Sequence, residues 1–293
     1  YNLSAKATDN QGASATSSAV NITVTGGNPS SLVLHLDFEK DWTNTGIIED
    51  TSGKLNNADC QRAYALNETT YNQCPKQATG PDGSRAAEFD GNRCDLTSDY
   101  LAVPKNSTLD NLYEGTISLW VNLNPNKTST NMTQKFLDTT QWGGIDTWEI
   151  SWILPLGTML TGTRDDASKI PPLLFSDQGQ SNKWNHYALT WDGTSMKSYL
   201  NGKLAATASQ IGISSFNLSD YLAVGAMEHD VPRNTPTNNC TVYYGFPADK
   251  TYVMPNDGFF NGKMDDIRIY NSPLSAGDIN AIDTQAKLPF IGC

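Results

Sequence analysis

Hydrophobic and polar residues alternate with a period of two through much of this 293-residue chain. Such alternation is typical of β-strands that turn one face to a core and the other to solvent. Alternating segments recur from Leu32 to Asn271, and clusters of Gly, Pro, Asn, Asp and Ser, which favour turns, separate them. A helical spacing occurs in "SAGDINAIDTQA", where Ser275 is a candidate N-cap. The pattern predicts an all-β protein, a β-sandwich or jelly roll with one helix near its C-terminus.

The N-terminal region forms a separate unit in this pattern. Two alternating segments flank the sequence "DNQG", in which Asn10 and Gly12 favour a tight turn. Two strands cannot bury a core by themselves, and "ATDNQGA" followed by "VNITV" resembles the end of an immunoglobulin-like or PKD-like module. The predicted division is a C-terminal hairpin of such a module over 1–25, a linker over 26–31, a jelly-roll domain over 32–286 and a tail over 287–293.

Charge and hydropathy narrow the classes of partner. The formal net charge is -11, and an acidic surface repels phosphate backbones and anionic lipids. A nucleic-acid binder normally carries a clustered basic face, so no nucleic-acid partner is expected. No stretch of the sequence approaches the roughly 18 apolar residues of a membrane span, so no membrane insertion is expected.

Cysteine usage indicates the compartment. Cys60, Cys74, Cys94 and Cys240 lie in polar, turn-rich sequence without a C-x-x-C pair or a neighbouring His. This arrangement favours disulfides over a zinc site or a thioredoxin-like motif. Their pairing stays open, since four cysteines allow three connectivities. The predicted location of the protein is extracellular or at the cell surface.

The segment "KWNHYALTWDG" contains residue types that are common in active sites. With a period of two, Trp184 and His186 lie on one face of the strand and Tyr187 on the other. A catalytic His also needs a nucleophile or an orienting carboxylate, and the local sequence offers only Asp192, at a turn. We therefore predict that His186 is a hydrogen-bonded scaffold residue.

An ordered set of segments resembles a known family. The segments are "LVLHLDFE", "DTSGKLNNA", "AAEFDG", "YLAVP", "GTISLWVNL", "KWNHYALTWDGTSMKSYLNGKLAAT" and "FFNGKMDDIRIYNSPLSAGDINAI". Together they resemble the laminin-G-like jelly rolls of the concanavalin A-like lectin and glucanase superfamily, over residues 32–286. The resemblance implies a concanavalin A-like β-sandwich. It does not fix the function, because that superfamily includes carbohydrate-binding modules, adhesion domains, glycosidases and lyases.

The resemblance also implies a calcium ion. Jelly rolls of this superfamily commonly hold one with the first strand, a carbonyl near the "FDG" turn and an acidic residue of the last strand. Carried onto this chain, the ligands are Asp37, Glu39, Asp90, Gly91 and Asp265. Alternation puts Asp265 on the same face as Ile267 and Ile269, where an acid needs a cation or hydrogen bonds. The alternative is that these acids only blunt a sheet edge.

Aromatic residues that the family pattern does not explain are candidates for sugar binding. Sugars are bound by aromatic rings that cover their C–H faces and by polar groups that bond their hydroxyls. Trp120 and Trp184 match family positions and are predicted to be core residues. The predicted ligand-binding residues are Trp142, Trp148, Tyr243, Tyr244 and, as a polar partner, Arg164. Rings packed under a long loop, and a solvated turn at Arg164, are the alternatives.

The sequence gives little support to catalysis. Glucanases of the superfamily carry closely spaced carboxylates of the type E-x-D-x-E, whereas "WEISW" has Glu149 alone, with Ser151 at the position of a second carboxylate. No catalytic residue is predicted, and a glycoside hydrolase or polysaccharide lyase is the less favoured hypothesis for the function. The predicted function is a non-catalytic carbohydrate-binding or adhesion module of a larger exported surface protein or polysaccharide-degrading enzyme, with a polysaccharide or cell-surface glycan as partner.

A structural role is the alternative hypothesis. In it, the chain is a subunit of an extracellular fibre or surface layer. The N-terminal hairpin would then add strands to a neighbouring copy of the chain. The two hypotheses differ in their partner, which is a glycan in the first and another subunit in the second.

Overall fold

A computed structural model gives the fold. It describes residues 2–3, 6–18, 20–21, 31–60, 74–91, 99–124, 133–139, 147–153, 158–164, 173–174, 179–209, 215–218, 221–226, 241–242, 252–253 and 260–285. The strands in chain order are β1 (Asn2–Leu3), β2 (Lys6–Thr8), β3 (Ser14–Thr16), β4 (Val20–Asn21), β5 (Leu32–Leu36), β6 (Ile47–Ile48), β7 (Ala58–Asp59), β8 (Lys76–Thr79), β9 (Arg85–Asp90), β10 (Leu101–Pro104), β11 (Gly115–Leu123), β12 (Thr133–Asp138), β13 (Thr147–Ile153), β14 (Thr158–Arg164), β15 (Leu173–Leu174), β16 (Trp184–Trp191), β17 (Ser195–Leu200), β18 (Lys203–Ser209), β19 (Tyr221–Val224), β20 (Thr241–Val242), β21 (Tyr252–Val253) and β22 (Asn261–Tyr270). The helix is α1 (Ala276–Gln285).

Two antiparallel sheets make up the sandwich. The first sheet has the strand order β15-β14-β13-β12-β19-β10-β7-β6. The second sheet has the order β18-β17-β16-β11-β22-β9-β8, with β5 also paired to β22. Both sheets contribute fully buried residues to one hydrophobic cluster, among them Leu34, Phe89 and Ile117 from the second sheet and Val103, Phe136 and Leu222 from the first. The all-β sandwich predicted from the alternation is confirmed.

Strand β16 shows how both faces of the second sheet are used. Tyr187 and Trp191 point into the cluster between the sheets, where they are 1% and 0% exposed. Ala188 belongs to a different buried cluster, on the outer face of this sheet, which we define as the face turned away from the central core. The predicted division of the strand between two faces is therefore confirmed.

Helix α1 covers part of that outer face. Ser275 is its N-cap as predicted, since its Oγ accepts the Asp278 N–H at 3.2 Å and its own N–H donates to the Asp278 carboxylate at 3.1 Å. The helix and the sheet share a buried cluster of Ala188, Tyr199, Tyr270, Leu274, Ile279 and Ile282. His186 on the same face is therefore sealed from solvent.

His186 is 0% exposed. Its Nε2 lies 2.8 Å from the Ser118 hydroxyl, its Nδ1 lies 4.0 Å from the Asp283 carboxylate of α1, and its ring is 5.2 Å from that of Trp120. A serine, a histidine and an aspartate thus come together, but a substrate cannot reach a fully buried ring. The prediction of a hydrogen-bonded scaffold histidine is confirmed, although the sequence did not reveal Asp283 as its neighbour.

The N-terminal residues form the predicted hairpin. Strand β2 pairs with β3, and β1 pairs with β4. Asp9 Oδ1 closes the turn by accepting the N–H groups of Gln11 and Ala13, each at 2.9 Å. Gly12 has a φ of 88°, which favours glycine. That this hairpin ends an immunoglobulin-like module, or pairs with another subunit, stays a prediction.

One disulfide joins Cys60 at the end of β7 to Cys74 just before β8. It links two segments that belong to different sheets, because β7 lies in the first sheet and β8 in the second. Disulfide bonding is therefore confirmed for this pair. Cys94, Cys240 and Cys293 lie outside the described residues.

Candidate functional site

The longest strand, β22, has one edge that two other strands share. Strand β9 pairs with β22 from Asn261 to Met264, and β5 pairs with it from Ile267 to Tyr270. Asp265 and Asp266 lie between these two stretches, where neither strand covers the edge. The side chains of this junction can therefore be reached by the turn after β5 and by the turn before β9.

A β-bulge shapes the junction. On the other edge of β22, Ser118 lies opposite Arg268 and Trp120 opposite Asp265, so one residue of β11 faces two residues of β22. Asp266 has a φ of 49°, a conformation that costs energy for a residue other than glycine and is enriched at functional sites. Met264 and Ile267 are both 0% exposed. The simple alternation that predicted a shared face for Asp265 and Ile267 is interrupted here.

Asp265 is a buried carboxyl group without a cationic partner among the described residues, and it is 4% exposed. Burial raises its pKa to about 9, and the nearby charges of Asp266, Asp82 and Glu39 act in the same direction. The backbone N–H of Asp266 donates to its Oδ1 at 2.7 Å. A Cβ atom at Gly80 would lie 2.4 Å from its Oδ2, so the β8–β9 turn packs directly on the carboxyl group.

The neighbouring carboxylate has the opposite electrostatic environment. Asp266 Oδ1 lies 2.7 Å from Nε2 of His35 and accepts the Nε–H of Arg268 at 2.8 Å. Although burial raises the pKa of Asp266, the hydrogen bond from His35 and the charge of Arg268 hold it below its usual value. Asp266 is thus neutralised by protein groups, whereas Asp265 is the position where an added cation would compensate a buried charge.

Two turns bring further oxygen atoms to this place. Glu39 Oε1 accepts the N–H of Arg85 at 3.2 Å, and its carbonyl accepts the Arg85 guanidinium at 2.7 Å, which fixes the segment after β5 against the start of β9. Asp82 holds the β8–β9 turn by accepting the N–H of Ser84 at 2.9 Å. Phe38, between Asp37 and Glu39, has a φ of 56°. Both turns are therefore fixed by their own hydrogen bonds.

The structure separates the residues predicted to bind calcium into two groups. Asp37 and Glu39 directly follow β5 and, with Asp265, lie at the junction. Asp90 pairs with Asn261, four residues before Asp265 and about 13 Å away along the strand. Gly91 follows Asp90, at the same distant end of β9.

Gly80 and Asp82 lie at the junction in place of that distant pair. Sequence reasoning missed them, although the turn "GPDGS" just before β9 was a visible signal. The described residues contain no group of three His, Cys, Asp or Glu side chains arranged to hold a metal. A calcium ion here would therefore need carbonyl oxygens or water beside Asp265, both of which calcium accepts readily.

The residues predicted to bind sugar lie mostly outside the described part. Trp142, Tyr243 and Tyr244 fall in segments that are not described. In the backbone, Thr147 lies opposite Arg164 and Trp148 opposite Thr163. The structure thus brings the backbones of Trp148 and Arg164 to the same end of two neighbouring strands of the first sheet, and their role stays a prediction.

Comparisons with known proteins identify the fold. Residues 95–239 match the family model described as the concanavalin A-like lectin/glucanases superfamily, a laminin-G model. No curated protein matches the chain. Within the described residues, no helix is long and apolar enough to cross a membrane.

Several solved structures have the same fold. The binding domain of Paraclostridial Mosquitocidal Protein 1 superposes with a TM-score of 0.60 and 18% identity, covering 88% of this chain and 52% of that chain. The receptor binding domain of botulinum neurotoxin C/D mosaic serotype superposes with a TM-score of 0.58 and 16% identity, covering 88% of this chain and 52% of that chain. A structure of botulinum neurotoxin type C superposes with a TM-score of 0.57 and 17% identity, covering 88% of this chain and 52% of that chain. This chain spans about half the length of these proteins, and together with the family match they show that its fold is a concanavalin A-like, laminin-G-like β-sandwich.

Proposed function

We propose that this chain is a non-catalytic carbohydrate-binding or adhesion module of a larger exported surface protein or polysaccharide-degrading enzyme. The observation that carries the proposal is the similarity of the sandwich to receptor-binding domains of toxins. For one of these similar proteins, botulinum neurotoxin type C, cell entry depends on interaction with two ganglioside molecules, which carry glycans. Such similarity in fold favours binding over catalysis, and a polysaccharide or cell-surface glycan is the proposed partner.

A glycan array with the folded chain in calcium buffer tests this function. We expect binding to at least one glycan class, and we expect Trp148→Ala to weaken it by roughly tenfold or more, about 1.4 kcal/mol, because a stacked ring would be lost. Tyr113→Ala is the control, since Tyr113 is 71% exposed and lies just before β11, a strand of the second sheet, whereas β13 and β14 belong to the first. An array that stays blank with demonstrably folded protein would contradict the proposal.

The same module is proposed to hold a structural calcium ion at the junction on β22. Asp265 would supply the buried carboxylate, and backbone carbonyls of the segment after β5 and of the β8–β9 turn, together with water, would supply the further oxygens. The support is a buried carboxyl group whose pKa is raised by burial and, to a smaller extent, by neighbouring acids, because an added cation would compensate the charge of that group. Bound there, the ion would fasten β5, β9 and β22 together.

Gly80→Ala tests this site without removing a carboxylate. The added methyl group would overlap Asp265 Oδ2, so the carboxyl group must move. We expect calcium to raise the unfolding temperature of the natural chain and to raise that of Gly80→Ala much less, by calorimetry with calcium or chelator. Gly277→Ala serves as control, because the new methyl group would meet only Ser275 Oγ, at 3.5 Å. An undiminished calcium response in Gly80→Ala would count against the site.

A further inference from the structure

Four side chains form a row across the outer face of the second sheet. Asn122 lies opposite Trp184 on one side and opposite Lys263 on the other, and Lys263 lies opposite Glu88. Residues directly opposite each other on neighbouring strands present their side chains to the same face of a sheet. An aromatic ring, an amide, an ammonium group and a carboxylate thus follow one another across β16, β11, β22 and β9.

Three residues of the row, Glu88, Asn122 and Lys263, line an open cavity of about 340 Å³. Trp184 lies beside this lining, on the neighbouring strand opposite Asn122. Its lining consists of Glu88, Asn122, Asn124, Asn182, Gly262 and Lys263. The volume lies in the range of about 300–1,000 Å³ that is usual for small-molecule sites. Asn182, just before β16, has a φ of 58°, and it adds an amide to the cavity beside Trp184.

Four of the polar side chains that line this cavity are not used inside the described part of the protein. Within the described part of the chain, the side chains of Glu88, Asn122, Asn182 and Lys263 form no hydrogen bond or ion pair. Asn185, one strand position from Trp184, is different, since its amide donates to the carbonyls of Gln180 and Lys183, each at 3.0 Å. The cavity therefore offers donors and acceptors that no structural bond occupies.

Trp184 differs from the other tryptophans of the sheet. Trp120 and Trp191 are 1% and 0% exposed, whereas Trp184 is partly exposed. The prediction that Trp184 is a core residue is therefore only half right, because Trp184 is partly exposed on the strand opposite Asn122. A partly exposed indole beside amide groups is a combination that suits a sugar ring, because C–H groups cover one face of the sugar and hydroxyls form its rim.

We propose that this cavity is a saccharide site that binds a neutral hexopyranose ring. Trp184 stacks on the C–H face of the sugar. The amides of Asn122 and Asn182 both donate to and accept from hydroxyls, and Glu88 and Lys263 bond a pair of neighbouring hydroxyls. One ammonium and one carboxylate leave the cavity without net charge, which favours a neutral sugar over an anionic one.

The site lies on the second sheet, away from β13 and β14 of the first. The inference rests on the proposed function in one respect, namely that the ligand is a sugar. The residues that it assigns differ from those proposed to bind sugar on the first sheet. A module with both sites would hold a glycan chain, or two glycans, on two opposite sheets.

Nuclear magnetic resonance of the full chain tests the inference. Galactose, glucose, mannose and N-acetylglucosamine are each titrated to high millimolar concentration, and Trp184→Phe assigns the Trp184 indole signal. We expect at least one sugar to shift the Trp184 indole N–H and the side-chain amides of Asn122 and Asn182. Asn122→Ala should weaken the binding of that sugar at least tenfold. Lys263→Gln provides a second variant if Asn122→Ala fails to fold.

The control is Asn44→Ala, an exposed asparagine in the turn before β6, which should leave the affinity unchanged. An unmoved Trp184 signal with all four sugars overturns the inference. Shifts confined to other indoles, and lost in Trp148→Ala, overturn it while supporting the site proposed on the first sheet. Shifts at Trp184 that persist in Trp148→Ala support the second-sheet site independently of the first.

Discussion

Asp265→Asn should abolish the calcium-dependent stabilisation of the domain and, in chelator, make it more stable than the natural chain at alkaline pH. The pKa of Asp265 rises from 3.8 to about 9 on folding, so the folded state keeps a proton that the unfolded chain releases. Below about pH 4 the Asp265 carboxyl group is protonated in both the folded and the unfolded state, so its protonation does not change the free energy of unfolding. Between about 4 and 9 the metal-free fold loses stability as pH rises, by up to about 1.4 kcal/mol per pH unit.

Asparagine has nearly the same shape and carries no titrating proton. The change therefore removes that pH-dependent loss of stability together with the carboxylate that is proposed to bind calcium. Guanidinium unfolding at pH 5 and pH 8, with calcium or chelator, measures both effects. Glu114→Gln, a change at an exposed acid, should behave like the natural chain. If Asp265→Asn responds to calcium as the natural chain does, the ion does not bind at Asp265. If the stability of metal-free Asp265→Asn changes with pH as that of the natural chain does, burial does not raise the pKa of the Asp265 carboxyl group.

Gly262→Ala should destabilise the sandwich by about 3 kcal/mol or more, because overpacking and backbone strain add. Gly262 has a φ of 148°, and a Cβ atom there would lie 2.3 Å from the carbonyl oxygen of Asn122 and 2.8 Å from the buried ring of Phe260. The Asn122 carbonyl lies near the end of β11, where Asn122 and Leu123 pair with Lys263 and Gly262, so it cannot move aside without disturbing the pairing of β11 with β22. Denaturant unfolding measures the loss.

The matched change is Gly277→Ala in the first turn of α1. Its added methyl group has room, and alanine favours a helix by up to about 1 kcal/mol over glycine, so the variant should be as stable as the natural chain or more so. Equal stability of Gly262→Ala and the natural chain would show that β11 and β22 are not as closely apposed as the structure has them.

The strands were predictable because local alternation determines which side chains of a strand share a face. In β16 the separation of Tyr187 from His186 follows from a period of two alone. The partners of a strand do not follow from such a pattern. Asp90 and Asn261 are distant in sequence, and only their pairing shows that the start of β9, not its end, lies beside Asp265. The sequence pattern therefore could not show that Gly80 and Asp82 lie beside Asp265 or that Asp90 lies away from it. Which of these residues bind calcium stays a prediction.

Two other features escaped the sequence for physical reasons. The bulge at Asp266 requires a left-handed residue, and no glycine marks it. The exposure of Trp184 depends on what covers the outer face. Helix α1 packs on Ala188 and brings Asp283 close to His186, whereas Trp184, two positions before His186, is only partly buried. Family resemblance gave the position of the ring along the strand but could not give the extent of the helix that packs above it.

The central place of β22 has a consequence for biosynthesis. This strand follows every other described strand of the sandwich in the sequence, yet it lies between β11 and the β5–β9 edge. Until residues 261–270 have left the ribosome, the second sheet lacks the strand that joins its three parts, which are β18-β17-β16-β11, β9-β8 and β5. Their edges are then unpaired, and such edges invite pairing with other chains. The nascent domain therefore cannot complete its fold during most of its own translation, so a chaperone or an export factor that binds extended strands has a long interval in which to act on it.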